Sequence, residues 1–370
     1  MAPRSIGADR AQPTAENAET AEEKWKLKIS AASAHSAVKL AEKYRRGRMY
    51  NRIVRGDFLL LLAAFIWGTT FVAQRKAMEY VGPMTYNALR FALGAVTLLP
   101  VIVWLRVAGN RAEPTNRMWP AISGPVLAGL ALFAGASFQQ VGLVYTTAGK
   151  AGFITSLYVV IVPFVGWFLG QRCQIAVWVG AILAVAGLYL LSMTESFTIG
   201  RGDMLVLISA FFWAVHVLLI GYLAKQANPV RIACIQFLTC SVLSLLMAGL
   251  TERVSTGAIW QAAVPILYGG VLSAGVAFTL QVVSQRTCPP AHAAIIMSLE
   301  TVFAALAGWA ILGERFQLRQ IAGFALMLTG FLAVQLPRLL SLQEWPLQHK
   351  MGASAPGFCQ EDAGVIRRKK

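Results

Sequence analysis

Charge is the scarcest property of this chain. Only 14% of its 370 residues are Asp, Glu, Lys or Arg, whereas 56% are hydrophobic and the mean hydropathy is +0.58. A soluble protein of this length carries roughly a quarter charged residues. The shortage excludes an ordinary soluble domain and indicates that lipid is the main solvent of the chain.

The chain also lacks the motifs of several protein classes. Its five cysteines and four histidines are scattered, with no Cys-x-x-Cys pair, so we predict no disulfide, no metal site and no cofactor. We find no nucleotide-binding loop and no nucleophile beside a base in the sequence. These absences argue against an ATP-driven pump and against a membrane-embedded enzyme, so we predict no catalytic residues.

Positive charge is unevenly distributed along the chain. The net formal charge is +16, and more than half of the 33 Lys and Arg residues lie in two terminal tails, 1–56 and 338–370. Basic residues that border an apolar run favour the anionic lipids of a cytoplasmic membrane surface over nucleic acid. We predict that the tail 1–56 is largely disordered or forms an interfacial helix, and we expect no nucleic-acid partner.

Ten apolar runs approach the length of about 20 residues that a membrane-spanning helix needs. They are 58–77, 84–105, 119–139, 151–170, 174–193, 204–223, 230–250, 261–283, 291–312 and 319–337. An even number of spans places both termini on one side, and the basic tails assign that side to the cytoplasm. The sequence therefore predicts a multi-pass protein of the inner membrane with cytoplasmic termini.

The first half of the chain is repeated in the second. Gly56-Asp57 recurs as Gly202-Asp203, and Phe65-Ile66-Trp67 recurs as Phe211-Phe212-Trp213, at the same interval of 202 − 56 = 146 residues. Matches continue through all five spans of each half, although the interval falls to about 140 after the second span. An internal repeat of this kind determines the architecture before any motif is considered.

The repeat predicts the orientation of the two copies. A unit with five spans ends on the opposite side from where it began, so its second copy must be inverted. We therefore predict an all-α polytopic membrane protein with ten transmembrane helices in two inverted five-helix repeats. The first half is 57–193 and the second half is 203–337.

Four short motifs carry a family resemblance. They are Trp67-Gly68-Thr69-Thr70-Phe71, Arg90-Phe91, Ser298-Leu299-Glu300 and Leu312-Gly313-Glu314-Arg315. Over residues of about 57–337, the chain resembles the EamA-type ten-helix permeases of the drug/metabolite transporter superfamily. That family often has a proline after the Leu-Glu of the ninth helix, where this chain has Thr301, which leaves open whether the usual kink forms here.

The resemblance implies a secondary transporter that works by alternating access. We expect it to move a small metabolite, an amino acid or a related solute, out of the cell, with coupling to protons or to the solute gradient. A nucleotide-sugar or drug permease is the alternative, followed by a regulatory membrane protein whose basic tail binds a partner. The expected partners are the small-molecule substrate, protons, the bilayer and anionic lipids. The oligomeric state stays open, and a monomer suffices.

Glu300 and Arg90 are the charged candidates for the site. Glu300 lies near the middle of the ninth span, where a carboxylate costs on the order of 3 kcal/mol unless it is paired or protonated. It either couples protons, binds a substrate amine, or is satisfied by a neighbouring helix. Arg90 lies in the second span, opposite Gln236 in the repeat. It either binds a substrate carboxylate, pairs with Glu300, or supports packing.

Aromatic and polar residues complete the candidate set. Trp67 and Trp213 are equivalent positions, and the resemblance implies that their helices line a central cavity, although core packing is the alternative. His216, the counterpart of Thr70, is either a proton relay or a hydrogen-bonded structural residue. Further polar candidates, each a ligand contact or a link between helices, are Gln140, Gln281, Tyr158 and Asn87.

Glycine spacing predicts one helix contact. Gly180 and Gly187 in the fifth span match Gly323 and Gly330 in the tenth, at an interval of 323 − 180 = 143 residues. Residues seven apart lie on one face of a helix, and small residues there let two backbones approach closely. We predict that these four glycines serve helix packing.

Overall fold

A computed structural model describes most of the hydrophobic part of the chain. The described residues are 50–107, 122–146, 148–171, 173–192, 200–312 and 317–348. The chain divides into two compact units, Met1–Asn51 and Arg52–Lys370. Nearly all of the predicted N-terminal tail, and the C-terminal tail beyond residue 348, lie outside the described residues.

The described residues are almost entirely helical. The α-helices are α1 Tyr50–Ala77, α2 Pro83–Val107, α3 Gly124–Tyr145, α4 Ala148–Ser156, α5 Tyr158–Phe168, α6 Ile175–Ser192, α7 Arg201–Leu223, α8 Pro229–Thr251, α9 Thr256–Gln261, α10 Ala263–Leu267, α11 Thr279–Ser284, α12 Pro290–Met297, α13 Glu300–Leu312 and α14 Leu318–Gln348. A π-helix, Tyr268–Phe278, joins α10 to α11. Within these ranges nine segments are long and apolar enough to span a membrane, and Ile175–Leu190 is a shorter apolar tenth. The prediction of an all-α polytopic membrane protein is confirmed.

The second helices of the two halves begin in different ways. At α8 the Asn228 side chain accepts hydrogen bonds from Val230 N at 2.9 Å and Arg231 N at 3.3 Å, a standard N-cap. Gly82 occupies the equivalent position before α2 and has no side chain to do this. Instead Glu252, just after α8, accepts from Met84 N at 2.7 Å and from Thr85 N at 2.9 Å. One half therefore supplies the cap of the other.

The fifth helices of the two halves, α6 and α14, pack against each other. A Cβ atom added at Gly180 would lie 2.9 Å from Gly330 O, and one added at Gly330 would lie 2.8 Å from Gly180 O. Gly187 approaches Gly323 O in the same way, at 2.6 Å. The earlier glycine of one helix thus meets the later glycine of the other. Such reciprocal, antiparallel contacts are what two inverted copies produce.

The fourth helix of each half is interrupted, which the sequence did not predict. α4 and α5 meet at Leu157, whose N–H bonds Ile154 O at 3.2 Å. α12 and α13 meet at Ser298 and Leu299, and Leu299 N bonds Ile296 O at 3.2 Å. Bonds to the third residue back tighten the helix and break its regular course. In the second half the break forms without the family's proline, at a position where this chain has Thr301.

The eighth span differs from its first-half equivalent. Residues Tyr268–Phe278 are π-helical, whereas α3 is α-helical throughout. The interval between the halves rises from 278 − 138 = 140 at the phenylalanines to 281 − 140 = 141 at the glutamines. The additional residue therefore lies directly after the π-helix, at the start of α11.

Three helix ends differ from the predicted spans. α3 continues to Tyr145, so Gln139 and Gln140, which are at the end of the predicted span 119–139, lie well inside the helix and are buried. α1 begins at Tyr50, inside the predicted tail. α14 continues to Gln348, beyond the predicted end of its span.

Candidate functional site

A partly open cavity lies between the two halves. Its walls come from α1, α2, α3, α7, the π-helix and α11, and from the ends of the two interrupted helices. Seven of the nine predicted site residues line it: Trp67, Arg90, Tyr158, Trp213, His216, Gln281 and Glu300. Asn87 and Gln140 do not. The structure thus brings most of the candidates together, and their roles stay predictions.

Phe278 forms the centre of the aromatic wall. Its ring centroid lies 4.8 Å from that of Trp67, 5.8 Å from that of Trp213 and 5.9 Å from that of His216. Sequence reasoning missed this residue. The signal that could have found it is the change of interval after Phe278, which marks the end of the π-helix.

The two tryptophans of the cavity direct their N–H groups to partners in the protein. Trp67 Nε1 donates to Ser273 O at 3.4 Å, and Trp213 Nε1 donates to Gln139 Oε1 at 2.7 Å. Buried indole N–H groups need such partners. Their ring faces are therefore available for apolar contact with a solute.

Glu300 is the first residue of α13 and is only 5% exposed. Its Oε1 accepts hydrogen bonds from Ser156 Oγ at 3.3 Å and from Tyr158 Oη at 3.4 Å. Tyr158 is its equivalent in the repeat, since 300 − 158 = 142, and it is the first residue of α5. The carboxylate therefore joins the two interrupted helices, and the start of a helix favours negative charge.

Arg90 is 3% exposed and is held by aromatic rings. The guanidinium carbon lies 4.6 Å from the centroid of Phe91 and 5.3 Å from that of Tyr86, within the range of cation–π attraction. Among the described residues it forms no ion pair, and its Nε has no acceptor. The hypothesised pair with Glu300 is therefore not formed, although both side chains line the cavity.

In the second half, His216 is equivalent to Thr70 and Gln236 is equivalent to Arg90. His216 Nε2 lies 2.8 Å from Gln236 Oε1, so these two side chains bond each other. In the first half Thr70 Oγ1 donates to Ile66 O at 2.6 Å, which leaves Arg90 directed at the cavity. The geometry places His216 in a hydrogen-bonded pair at the cavity wall.

The remaining amide candidates bond mainly within the protein. Gln281 Nε2 donates to Gln285 Oε1 at 3.2 Å, at the margin of the cavity. Gln140 Nε2 donates to Gln74 O at 3.5 Å and links α3 to α1. Asn87 is fully buried in α2, and neither atom of its amide has a partner among the described residues.

The close approach of α1 to α13 explains a motif glycine. A Cβ atom at Gly68 would lie 2.5 Å from Glu300 O and 2.8 Å from Ala304 N. Only glycine lets the two backbones meet at this distance. Gly68 thereby places Glu300 beside Trp67 in the wall of the cavity.

These features define a class of protein. Two inverted five-helix halves enclose a central cavity, and an interrupted helix from each half reaches it, which is the architecture of many secondary transporters. The chain belongs to the EamA-like transporter family, whose sequence model matches residues 54–193 and again residues 200–336. It is a multi-pass membrane transporter.

Individual relatives agree with this assignment. An uncharacterized transporter of Archaeoglobus fulgidus is 33% identical, over 76% of this chain and 85% of its own length. The uncharacterized transporter YwfM of Bacillus subtilis is 26% identical over 78% of this chain and 94% of its own length. The chloroplastic WAT1-related protein At3g02690 of Arabidopsis thaliana is 24% identical over 76% of this chain and 70% of its own length. A protein of known crystal structure shares the fold at a TM-score of 0.62, with 18% identity, over 76% of this chain and 96% of its own.

Proposed function

We propose that the protein exports an amino acid or a closely related solute across the inner membrane by alternating access, with both termini in the cytoplasm. One observation carries this proposal. Arg90 and Glu300 have opposite charges, line the same aromatic cavity and do not pair with each other. An amphoteric solute would place its carboxylate at Arg90 and its ammonium group at Glu300.

The aromatic walls favour a solute with an apolar body. Trp67, Trp213 and Phe278 line the same cavity as the two charged residues. Ligand cavities of this kind combine apolar walls with a few polar groups that set orientation. Among the described lining residues Arg90 is the one cation, which is fewer than a nucleotide-sugar diphosphate calls for.

The inverted halves provide the motion that the proposal needs. The cavity has walls from both halves, and each half contributes one interrupted helix. Rocking of one half against the other exposes such a cavity to each membrane face in turn. The glycine contacts between α6 and α14 lie at a second site of contact between the halves, where they can serve as a pivot.

Glu300 provides a route to proton coupling. A carboxylate at this depth is stable only when it is protonated or paired with a cation. A proton and a substrate ammonium group therefore compete for one site. Entry of a proton from outside would release the solute, and the return of the carrier would bring the proton in. Export would then be driven by the proton gradient.

Flux measurements in reconstituted vesicles test the coupling. We expect Glu300→Gln to remove the dependence of flux on an imposed pH gradient, because a neutral amide cannot exchange a proton. Glu79→Gln is the matched control, since Glu79 is exposed and pairs with Lys76 outside the cavity. If the flux of Glu300→Gln depended on pH as it does in the unsubstituted protein, the coupling role would be refuted.

A binding screen tests the class of substrate. Thermal shifts of the purified protein would be compared for amino acids, nucleotide sugars and cationic drugs. We expect stabilisation by amino acids with apolar side chains, and weaker stabilisation when either the carboxylate or the amine is blocked. Stabilisation by nucleotide sugars or drugs alone would favour the alternative permease. Flux that survives deletion of residues 1–50 would exclude a purely regulatory protein.

A further inference from the structure

Three potential metal ligands meet at one end of the helix bundle, away from the cavity. They are Asp57 on α1 and Cys288 and His292 at the start of α12. Their ligand atoms all lie within 4.8 Å of one another, and their exposed fractions are 8%, 1% and 5%. The scattered cysteines and histidines predicted no metal site, but the fold brings together residues 288 − 57 = 231 positions apart.

We propose that Asp57, Cys288 and His292 bind one divalent transition-metal ion of the Zn²⁺ type. A thiolate, an imidazole and a carboxylate are the ligands that Zn²⁺ uses in proteins, whereas Mg²⁺ and Ca²⁺ prefer oxygen ligands alone. Three protein ligands leave one position of a tetrahedral ion open for water, which is typical of exchangeable sites rather than closed structural ones. Binding would release the thiol proton of Cys288.

The spacing of the ligands is close to what such an ion needs. Bonds of about 2.0–2.3 Å in a tetrahedral site place ligand atoms roughly 3.3–3.8 Å apart. His292 Nε2 already lies 3.9 Å from Asp57 Oδ1. The widest separation in the trio has to shrink by about 1 Å, which rotation of the Asp57 and Cys288 side chains can supply.

A fourth residue contacts the same ring nitrogen. Gln335 on α14 places its Oε1 2.7 Å from His292 Nε2, and both side chains are buried. Because Nε2 is also the ring atom that faces Asp57, a bound ion would replace this hydrogen bond.

The other half of the molecule has an ion pair at the equivalent place. Asp203 corresponds to Asp57, and it accepts from Thr146 Oγ1 at 2.5 Å and Lys150 Nζ at 3.3 Å. Thr146 and Lys150 are equivalent to Cys288 and His292, since 288 − 146 = 292 − 150 = 142. One end thus has a fixed ammonium beside the carboxylate. The other has an imidazole and a thiol, which are ligands for an exchangeable cation.

Both clusters join one half of the protein to the other at opposite membrane faces. Asp57 belongs to the first half, whereas Cys288 and His292 belong to the second. Asp57 lies ten residues before Trp67 on α1, or about 15 Å along the helix, so the trio is distinct from the cavity. A bound ion would hold α1 against α12 and keep this end of the transporter closed.

Cobalt binding tests the site directly. The full-length, tag-free protein would be purified in detergent, stripped with a chelator and titrated with Co²⁺. We expect one equivalent to produce a thiolate-to-cobalt charge-transfer band and the visible absorption of tetrahedral Co²⁺, both removed by Zn²⁺. No thiolate band in the unsubstituted protein would overturn the proposal without any need for a variant.

Variants identify the ligands. Cys288→Ser should lose the charge-transfer band, whereas Gln335→Leu should keep it, because Gln335 is not a ligand of the ion. Cys240→Ser is the matched control, since Cys240 is buried in α8 outside the trio, and it should keep the full band. A band of equal intensity in monodisperse Cys288→Ser would overturn the proposal.

The effect on transport rests on the proposed function and is measured separately. Zn²⁺ should inhibit flux in vesicles that contain the unsubstituted protein and have no effect on Cys288→Ser. Stoichiometric Co²⁺ binding together with Zn²⁺-insensitive flux would overturn the closing role and leave the metal site established. Absent flux with intact Co²⁺ binding would count against transport and not against the site.

Discussion

The two halves bring different chemistry to the cavity from equivalent positions. Arg90 of the first half rests on aromatic rings and faces the cavity, whereas Gln236 of the second half is bonded to His216. The scaffold contacts are reciprocal, as between Gly180 and Gly330. The two halves therefore share their packing contacts and differ in the side chains that they place at the candidate site.

The third helices of the two halves show the same contrast. Phe138 on α3 stacks on Phe212 at 5.7 Å, whereas its equivalent Phe278 lies among the aromatic residues of the cavity. The second half has one residue more between this phenylalanine and the next glutamine. A single additional residue therefore accompanies the placement of an aromatic ring in the candidate site.

Removing that additional residue should have the largest effect. Deletion of Thr279, the first residue after the π-helix, would turn Gln281 by about 100° relative to Phe278. We expect flux in vesicles to fall to background. The control Thr279→Ala keeps the residue count and should keep its flux, because Thr279 Oγ1 has no partner among the described residues. Normal flux in the deletion variant would show that the additional residue is dispensable.

Arg90→Gln makes the first half resemble the second at the cavity. The loss of a charge-assisted hydrogen bond of about 1.5–3 kcal/mol should raise the half-saturating concentration of a carboxylate solute roughly 10–100-fold. Arg231→Gln removes an exposed arginine on α8 and serves as the control. An equal loss for solutes with and without a carboxylate would indicate a packing role for Arg90 instead.

The glycine contact should respond equally from either side. Gly180→Ala and Gly330→Ala each place a methyl group against the other helix and should destabilise the protein by about 1–3 kcal/mol. Thermal melting in detergent measures this loss. Gly249→Ala is the control, because nothing lies within 4 Å of an added Cβ there. A large effect at one glycine alone would contradict the reciprocal packing of the halves.

Tyr158→Phe should have the smallest effect. It removes one of two hydrogen bonds to Glu300, about 0.5–1.5 kcal/mol, and leaves the bond from Ser156. We expect a shift of a few-fold in the proton concentration that half-saturates flux. Tyr189→Phe, at an exposed position on α6, should cause none. Complete loss of proton dependence would mean that Tyr158 itself carries the proton.

Much of the fold was predictable because it depends on patterns that are local in the sequence. Hydrophobic runs gave the spans, and their odd number in each repeat gave the inversion. The interruption at Ser298 was not predictable, because neither it nor Thr301 has the backbone restriction of proline. The π-helix is followed by a change in the interval between the halves, at Phe278 to Gln281. Such a change does not by itself distinguish a bulge from a loop.

The candidate site was only partly predictable. Glu300, Arg90 and the tryptophans stood out because charged and indole groups are conspicuous inside apolar spans. Phe278 did not, because one phenylalanine among many apolar residues carries no local signal. Asp57, Cys288 and His292 meet only through the packing of α1 against α12, which no spacing in the sequence expresses.

The cap that Glu252 supplies to α2 has a consequence for biogenesis. The N-terminal amides of a helix need acceptors, and at α2 the acceptor lies 252 − 82 = 170 residues downstream of Gly82. A Cβ atom at residue 82 would meet the Glu252 carboxyl group, so a side chain there would displace this cap. During synthesis, the N-terminus of α2 can therefore gain this cap only after Glu252 in the second half has been made.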